Sequence, residues 1–461
     1  MRRLLMGAVT AAAVMLAGCS GHSGSGSGDE NAKDASASST AGAAVKSADF
    51  GTLKNVCGPG TAKSSTVQGV TDKSVQVGVL SDIGFTKNSE FPDAAKVFTA
   101  WCNAAGGING RKLVPVTHDT KLLQAREGVL AACKSDFALV GGGAALDGLG
   151  VADRLKCLLP DFPAQSTQAV GSDLQVLATG AGVGYFPYSG YYTWLIKDKY
   201  PDSAQKVGII AGDSPVSKTF AAQYKESIAG LGGKVSYTDL YPAVGVSDWT
   251  PYAQAIKSKG VKGLTFLGDF ASLAKLEQAL TNIGYAPDWI DANSNAYGPA
   301  FVQLAGPALA KQHNYAELSA TAPLESASSN PATQQVVDLF KKYAPDAAVT
   351  YPVLRAFSAW LLFATAARDC ATLTRKCAYQ NAVKQTEWTG GGLQAPADLS
   401  RIDIPPKCFS IVETTTSGWK AAEFGADQGP YRCDAPTYKF KGDYGKPLTL
   451  KAVGKSMADV T

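Results

Sequence analysis

Residues 74–116, SVQVGVLSDIGFTKNSEFPDAAKVFTAWCNAAGGINGRKLVPV, constrain the fold more than any other stretch of the chain. Val75, Val77, Val79 and Leu80 alternate and then run together, as a strand does when it enters a core. A polar, glycine-containing loop follows over 81–90. Next comes an amphipathic helix with Ala94, Ala95, Val97, Phe98 and Trp101 on its apolar face. Gly106-Gly107 stops the helix, and a second strand is expected over 112–116. Strand, helix and strand at this spacing predict the first βαβ unit of a parallel sheet. Open sheets of this kind receive ligands at the carboxyl ends of their strands.

The chain of 461 residues is long enough for two lobes, and 45% hydrophobic with 18% charged residues is an ordinary globular balance. Net charge is +4 with both signs interspersed, and no Lys/Arg run carries interleaved aromatics, which argues against nucleic acid as a partner. Met1-Arg2-Arg3 and the apolar residues 4–17 form a leader too short to span a bilayer as a mature helix. Its end, Leu16-Ala17-Gly18-Cys19, resembles the lipobox of bacterial lipoprotein signal peptides. That resemblance implies a signal peptide over 1–18, cleavage before Cys19, and lipid on its sulfur that holds the protein at the outer face of the cell membrane. Residues 19–50, rich in Ser, Gly, Ala and Thr, lack the large apolar side chains needed for a core and are expected to be a flexible tether.

Of nine cysteines, setting Cys19 aside leaves eight, an even number in an exported chain, hence up to four disulfides. Eight cysteines allow roughly a hundred connectivities. Cys370 with Cys377, and Cys408 with Cys433, are near in sequence and are expected to close local loops. Cys133 and Cys157 end successive helix-like segments that a doubly wound sheet places on one face, which leaves Cys57 for Cys102. No Cys-x-x-Cys cluster favours zinc, and three scattered histidines (His22, His118, His313) do not suggest a metal site. No cofactor is expected.

Farther on, a helix is expected over 122–135, a buried strand over 137–140, and then Gly141-Gly142-Gly143-Ala144-Ala145. Glycine there permits a tight turn or a close backbone approach to a ligand, but the dinucleotide fingerprint Gly-x-Gly-x-x-Gly fails in register. Leu158-Leu159-Pro160 read as the end of a further strand, followed by the polar loop Gln165-Ser166-Thr167. The pattern restarts near Tyr185. Strands are expected over 206–210, 234–241, 263–267 and 289–291, with helices over 191–199, 217–231, 249–258 and 271–283. Helices follow over 336–343 and 351–368. Another follows Cys377, and strands are expected over 407–414 and 418–423. The expected fold is α/β, with two doubly wound parallel-sheet lobes joined by a hinge.

Ala104-Ala105-Gly106-Gly107-Ile108-Asn109-Gly110-Arg111-Lys112-Leu113 resembles the helix–turn–strand signature of type I periplasmic binding proteins in the branched-chain amino-acid group. Val207-Gly208-Ile209-Ile210 and the strand 263–267 are similar in spacing to that group's second-lobe strands. The resemblance implies three crossings between lobes. Lobe one would comprise 51–188 and 320–395. Lobe two would comprise 189–319, with 396–461 as the hinge return and a C-terminal extension on that lobe. It further implies ligand groups on strand-end loops: Asp82 and Phe85 after the first strand, Ala144 and Ala145 after the third, and Gln165 and Ser166 after the fourth. In the second lobe it points to Asp213, Asp269, Phe270 and Asn293, with Tyr185 at the lobe junction. Ala144-Ala145 stand where the group grips an amino-acid carboxylate with hydroxyls, and Asn293 where it places an acid for the ammonium. Asp213 and Asp269 also suit helix caps, and Phe85 and Tyr185 could equally fill the lobe interface.

The function this implies is capture of a small polar or amphipathic solute, an amino acid or a related compound, by hinge closure. Delivery would be to the permease of an ABC importer, by a monomer. An extracellular sensing role is the alternative. An enzyme is not expected, since Gly-x-Ser-x-Gly is absent and Gly454-Lys455-Ser456 lacks the upstream glycine of a phosphate loop.

Overall fold

The computed structural model describes residues 48–61, 67–168, 170–242 and 245–461; the expected signal peptide, Cys19 and nearly all of the tether lie outside them. The described chain opens with an antiparallel hairpin, β1 (Ala48–Phe50) and β2 (Leu53–Cys57). This hairpin begins inside the stretch read as tether, because Phe50 is fully buried and anchors it to the core. The first lobe continues through β3 (Ser74–Ser81), α1 (Ile83–Thr86), α2 (Glu90–Ala104), β4 (Lys112–Asp119), α3 (Ala125–Ser135), β5 (Leu139–Val140), α4 (Val151–Lys156) and β6 (Asp161–Phe162). Its parallel strands lie in the order β4-β3-β5-β6. Helix α3 starts three residues later than its apolar pattern suggests, because Lys121 and Leu122 adopt left-handed φ of 44° and 71°. The strand expected to end at 158–160 lies just beyond, where Asp161 is buried on a hydrogen bond from Gln175 (2.9 Å).

The second lobe runs through α5 (Ser189–Thr193, continued by a π-helical turn, Trp194–Lys199), β7 (Val207–Gly212), α6 (Pro215–Gly230), β8 (Val235–Tyr241), α7 (Thr250–Ser258), β9 (Gly263–Leu267), α8 (Phe270–Asn282), β10 (Trp289–Asp291), α9 (Pro299–Ala305) and β11 (Asn314–Glu317). After α10 (Pro331–Tyr343), α11 (Tyr351–Arg368) and α12 (Arg375–Ala382), the chain adds the antiparallel strands β12 (Ile411–Thr415) and β13 (Gly418–Ala421) to this sheet. Its order is β13-β12-β11-β10-β9-β7-β8. Both sheets set their first strand between their second and third, so each has a switch point where ligands are received. Strands β7 and β9 are buried throughout, the near-continuous apolar pattern of parallel strands covered on both faces.

Helix α11 is the first lobe's core. Sixteen of its eighteen residues are buried, and it lies against α2. Phe98 stacks on Trp360 at 5.4 Å between ring centroids and meets Phe357 edge-on at 5.7 Å, while Phe363 reaches Phe162 at 5.5 Å. The lobes are joined where three chain segments run side by side. Ala322 N donates to Leu393 O (2.8 Å), Ala395 N to Ala320 O (2.9 Å), and Gln394 Nε2 to Ala178 O (2.8 Å).

All four disulfides form as the sequence suggests: Cys57–Cys102, Cys133–Cys157, Cys370–Cys377 and Cys408–Cys433. The C-terminal segment first grips the second lobe, where Glu226 of α6 accepts from Lys441 N (2.6 Å), Gly442 N (3.0 Å) and the Tyr444 hydroxyl (2.8 Å). It does not stay there. Leu448, Leu450 and Val460 pack with Val151, Leu155 and Leu174 of the first lobe, and Leu450 N donates to Asp173 (2.7 Å).

Strand β11 escaped the sequence reading because two of its four buried residues, Asn314 and Glu317, are polar. Asn314 Nδ2 donates to Glu277 of α8 (3.2 Å), a carboxyl so buried that its pKa is pushed up to about 8 from an ordinary 4.5. Folding therefore takes up a proton between pH 4.5 and about 8, and stability should fall as pH rises through that window. Urea unfolding across it should show Glu277 contributing a slope of up to about 1.4 kcal/mol per pH unit. Glu277→Gln should flatten that slope.

Candidate functional site

The loops after β3 and β6 meet those after β9 and β10 across the lobe junction. Gln165 Nε2, after β6, donates to Asn295 Oδ1, after β10 (2.7 Å). Beside this contact lies a cavity of about 560 Å³, lined from both lobes by Lys87, Glu90, Phe270, Asn295, Phe301 and Thr350 among others. Glu90 opens α2 and accepts from Asn88 Nδ2 (2.6 Å) and the Thr350 hydroxyl. Burial raises its pKa despite these bonds. The wall thus combines aromatic faces with hydroxyl, amide and charged groups, the makeup of a small-molecule pocket.

The loop residues singled out from the sequence take different places. Phe270 and the contact made by Gln165 belong to the cavity region. Asp82 is buried and occupied: its carboxylate accepts from Leu122 N (2.8 Å), Ala145 N (2.7 Å) and the Thr120 hydroxyl, clasping the loops after β3, β4 and β5 together. Ser166 donates to Asp147 (2.8 Å), as does Thr167 (2.5 Å). Ala144 is buried and Ala145 exposed. The glycines before them serve close backbone packing, since a Cβ on Gly142 would lie 2.5 Å from Leu80 N.

Phe85 is 52% exposed. Asp213 is exposed and pairs with Lys218 (2.5 Å), while neighbouring Ser214 caps α6 through Ser217 N (3.1 Å). Asp269 is the cap of α8, accepting from Ser272 N (2.8 Å). Asn293 has φ 66° and accepts from Asn295 N (3.0 Å), which aims the loop carrying Asn295. Tyr185 lies under the C-terminal segment, its ring 5.8 Å from Lys439 Nζ.

Sequence reasoning passed over a buried polar cluster at the junction. Asp291 accepts from the Tyr192 hydroxyl (2.6 Å), and burial lifts its pKa to about 6. Burial likewise lifts Glu317 to about 7, although Ala320 N donates to it (3.3 Å). Arg355, on α11, donates from Nε to Ala164 O (3.1 Å) and from Nη1 to the Tyr351 hydroxyl (3.2 Å). One signal was available: Arg355 is the one charged residue in the mostly apolar helical run 351–367.

The sequence profile of the periplasmic binding protein family matches residues 74–417. The chain belongs to that family. Solved structures of the type I fold superpose on this binding protein over most of its length. One is the fatty acid ABC transporter substrate-binding protein from Thermomonospora curvata, with TM-score 0.66, 17% identity, and coverage of 85% of this chain and 99% of that one. Another is a leucine binding protein from Thermotoga maritima, with TM-score 0.62, 15% identity, and coverage of 76% and 97%. A third is the branched-chain amino acid transporter substrate binding protein from Streptococcus pneumoniae in complex with isoleucine, with TM-score 0.60, 16% identity, and coverage of 76% and 99%. No curated protein matches the sequence. The family places the binding protein outside the cytoplasm, and no helix among the described residues is long and apolar enough to cross a membrane.

Asp82→Ala would strand the amides of Leu122 and Ala145 and cost about 1–3 kcal/mol. The expected result is a lower thermal midpoint, with faster hydrogen exchange concentrated in the loops after β3, β4 and β5.

Proposed function

We propose that this protein captures a small amphipathic solute, an amino acid or a related compound, between its lobes and delivers it to an ABC importer. The observation that carries the reading is the cavity at the facing strand ends, walled by both lobes and bordered by the Gln165–Asn295 contact. A solute seated there touches Phe270 of the second lobe and the α2 entrance of the first, so it favours the closed arrangement by its differential affinity for it. Three adjacent crossings provide the hinge. Structural relatives described as fatty acid, leucine and branched-chain amino acid binding proteins support an aliphatic, polar-headed solute. Lipid on Cys19 and a tether ending before β1 would hold the protein as a monomer at the outer membrane face, near its permease.

A thermal-shift screen of the chain from residue 20 onward, followed by calorimetry, tests this. Amino acids, aliphatic acids and short peptides form the panel. A member of one class should raise the midpoint by mass action. Phe270→Ala should then weaken that ligand about tenfold, roughly 1.4 kcal/mol, with little change in apo stability. An unchanged affinity would place the ligand elsewhere.

A further inference from the structure

Arg355 is charged and only 5% exposed. It is not one of the cavity's lining residues; three neighbours fix its place beside the lobe junction. Ala164, which takes its Nε bond, immediately precedes Gln165, the residue that reaches across to Asn295. Tyr351, which takes its Nη1 bond, is tied through its hydroxyl to Ser319 just after β11 (3.0 Å). Thr350, at the start of the same helix, lines the cavity.

The guanidinium's partners do not balance its charge. Both are neutral oxygens, and Nη2 donates to none of the described residues. No described carboxylate forms an ion pair with it, although the buried Glu317 lies near enough to feel its charge. A buried cation is costly unless an anion meets it, and a guanidinium still holding free N–H donors is shaped to accept one. The first lobe's other polar groups near the junction are already engaged. Ala145 N is held by Asp82, the Ser166 and Thr167 hydroxyls are held by Asp147, and Ala144 and Ala145 bring no side-chain donor.

We propose that Arg355 anchors the carboxylate of the solute, so that the binding protein selects amphipathic carboxylic acids over their neutral counterparts. This rests on the solute-binding reading above. A carboxylate presents two coplanar oxygens, which match the planar fork of a guanidinium better than a single acceptor does. An amide or ester of the same chain would leave the cation buried and unbalanced, and a site built around a charge rejects such analogues strongly.

The test is a thermal-shift and calorimetric titration of the protein with straight-chain carboxylates from acetate to octanoate and branched-chain amino acids. The matching primary amides and inorganic phosphate are run alongside, on the wild type, Arg355→Gln and Arg355→Lys. Carboxylates should raise the wild-type midpoint while amides and phosphate do not. Arg355→Gln should weaken the carboxylate at least tenfold, and Arg355→Lys should recover part of the loss. The comparison of acid with amide needs no variant, so a folding defect in Arg355→Gln leaves the proposal falsifiable. Equal response to acids and amides, or undiminished carboxylate binding by Arg355→Gln, overturns the anchor but leaves solute binding standing. A response to phosphate equal to that of the carboxylates overturns the carboxylate assignment. No response to any compound overturns the anchor together with the proposed binding of acids.

Discussion

The packing of α11 into the first lobe is the interaction on which the remaining structure depends. Its apolar side chains close the core against α2, with the Phe98–Trp360 stack at the centre. The same helix presents Thr350, Tyr351 and Arg355 to the lobe junction. Stability and site geometry therefore share one element. Because interiors are close-packed and transmit small displacements, a shift of α11 would move the cavity wall with it.

Around that core, the protein restrains its loops covalently and by buried carboxylates. Cys57–Cys102 fastens the N-terminal hairpin to α2, and Cys133–Cys157 fastens α3 to the end of α4. Such links narrow the unfolded ensemble more than they strengthen any native contact. Asp82, Asp147 and Glu226 act locally, each gathering amide or hydroxyl donors from segments distant in sequence. The C-terminal segment leaves Glu226 on the second lobe and ends on the first, so it spans the junction in addition to the three crossings. Any opening of the lobes has to be accommodated by residues 445–447 or by release of one end of this segment.

The site differs in kind from a clamp of hydroxyls and amides. Those groups exist here, but Asp82 and Asp147 engage them internally. Three charged groups near the junction are buried: Asp291 and Glu317 with raised pKa values, and Arg355 with neutral partners. On the proposal above, a ligand carrying an anionic group would gain from Arg355 in an interior that screens charge poorly.

Much of this was legible in the sequence. Alternating and continuous apolar runs gave both parallel sheets, because buried strands and amphipathic helices must each follow their own period. The helix–turn–strand segment 104–113 pointed to the family, and cysteine spacing together with the order of helices sufficed for all four disulfides. Strands β6 and β11 were obscured by polar residues whose partners lie far off in sequence, such as Glu277 for Asn314. The candidate site was legible only as a set of strand-end loops. Which loop residues face a ligand and which hold one another was decided by tertiary structure alone. Asp269 became a cap, Asp82 a clasp, and Arg355 a junction residue because hydrogen-bond partners and burial are set by contacts between segments that sequence order does not reveal.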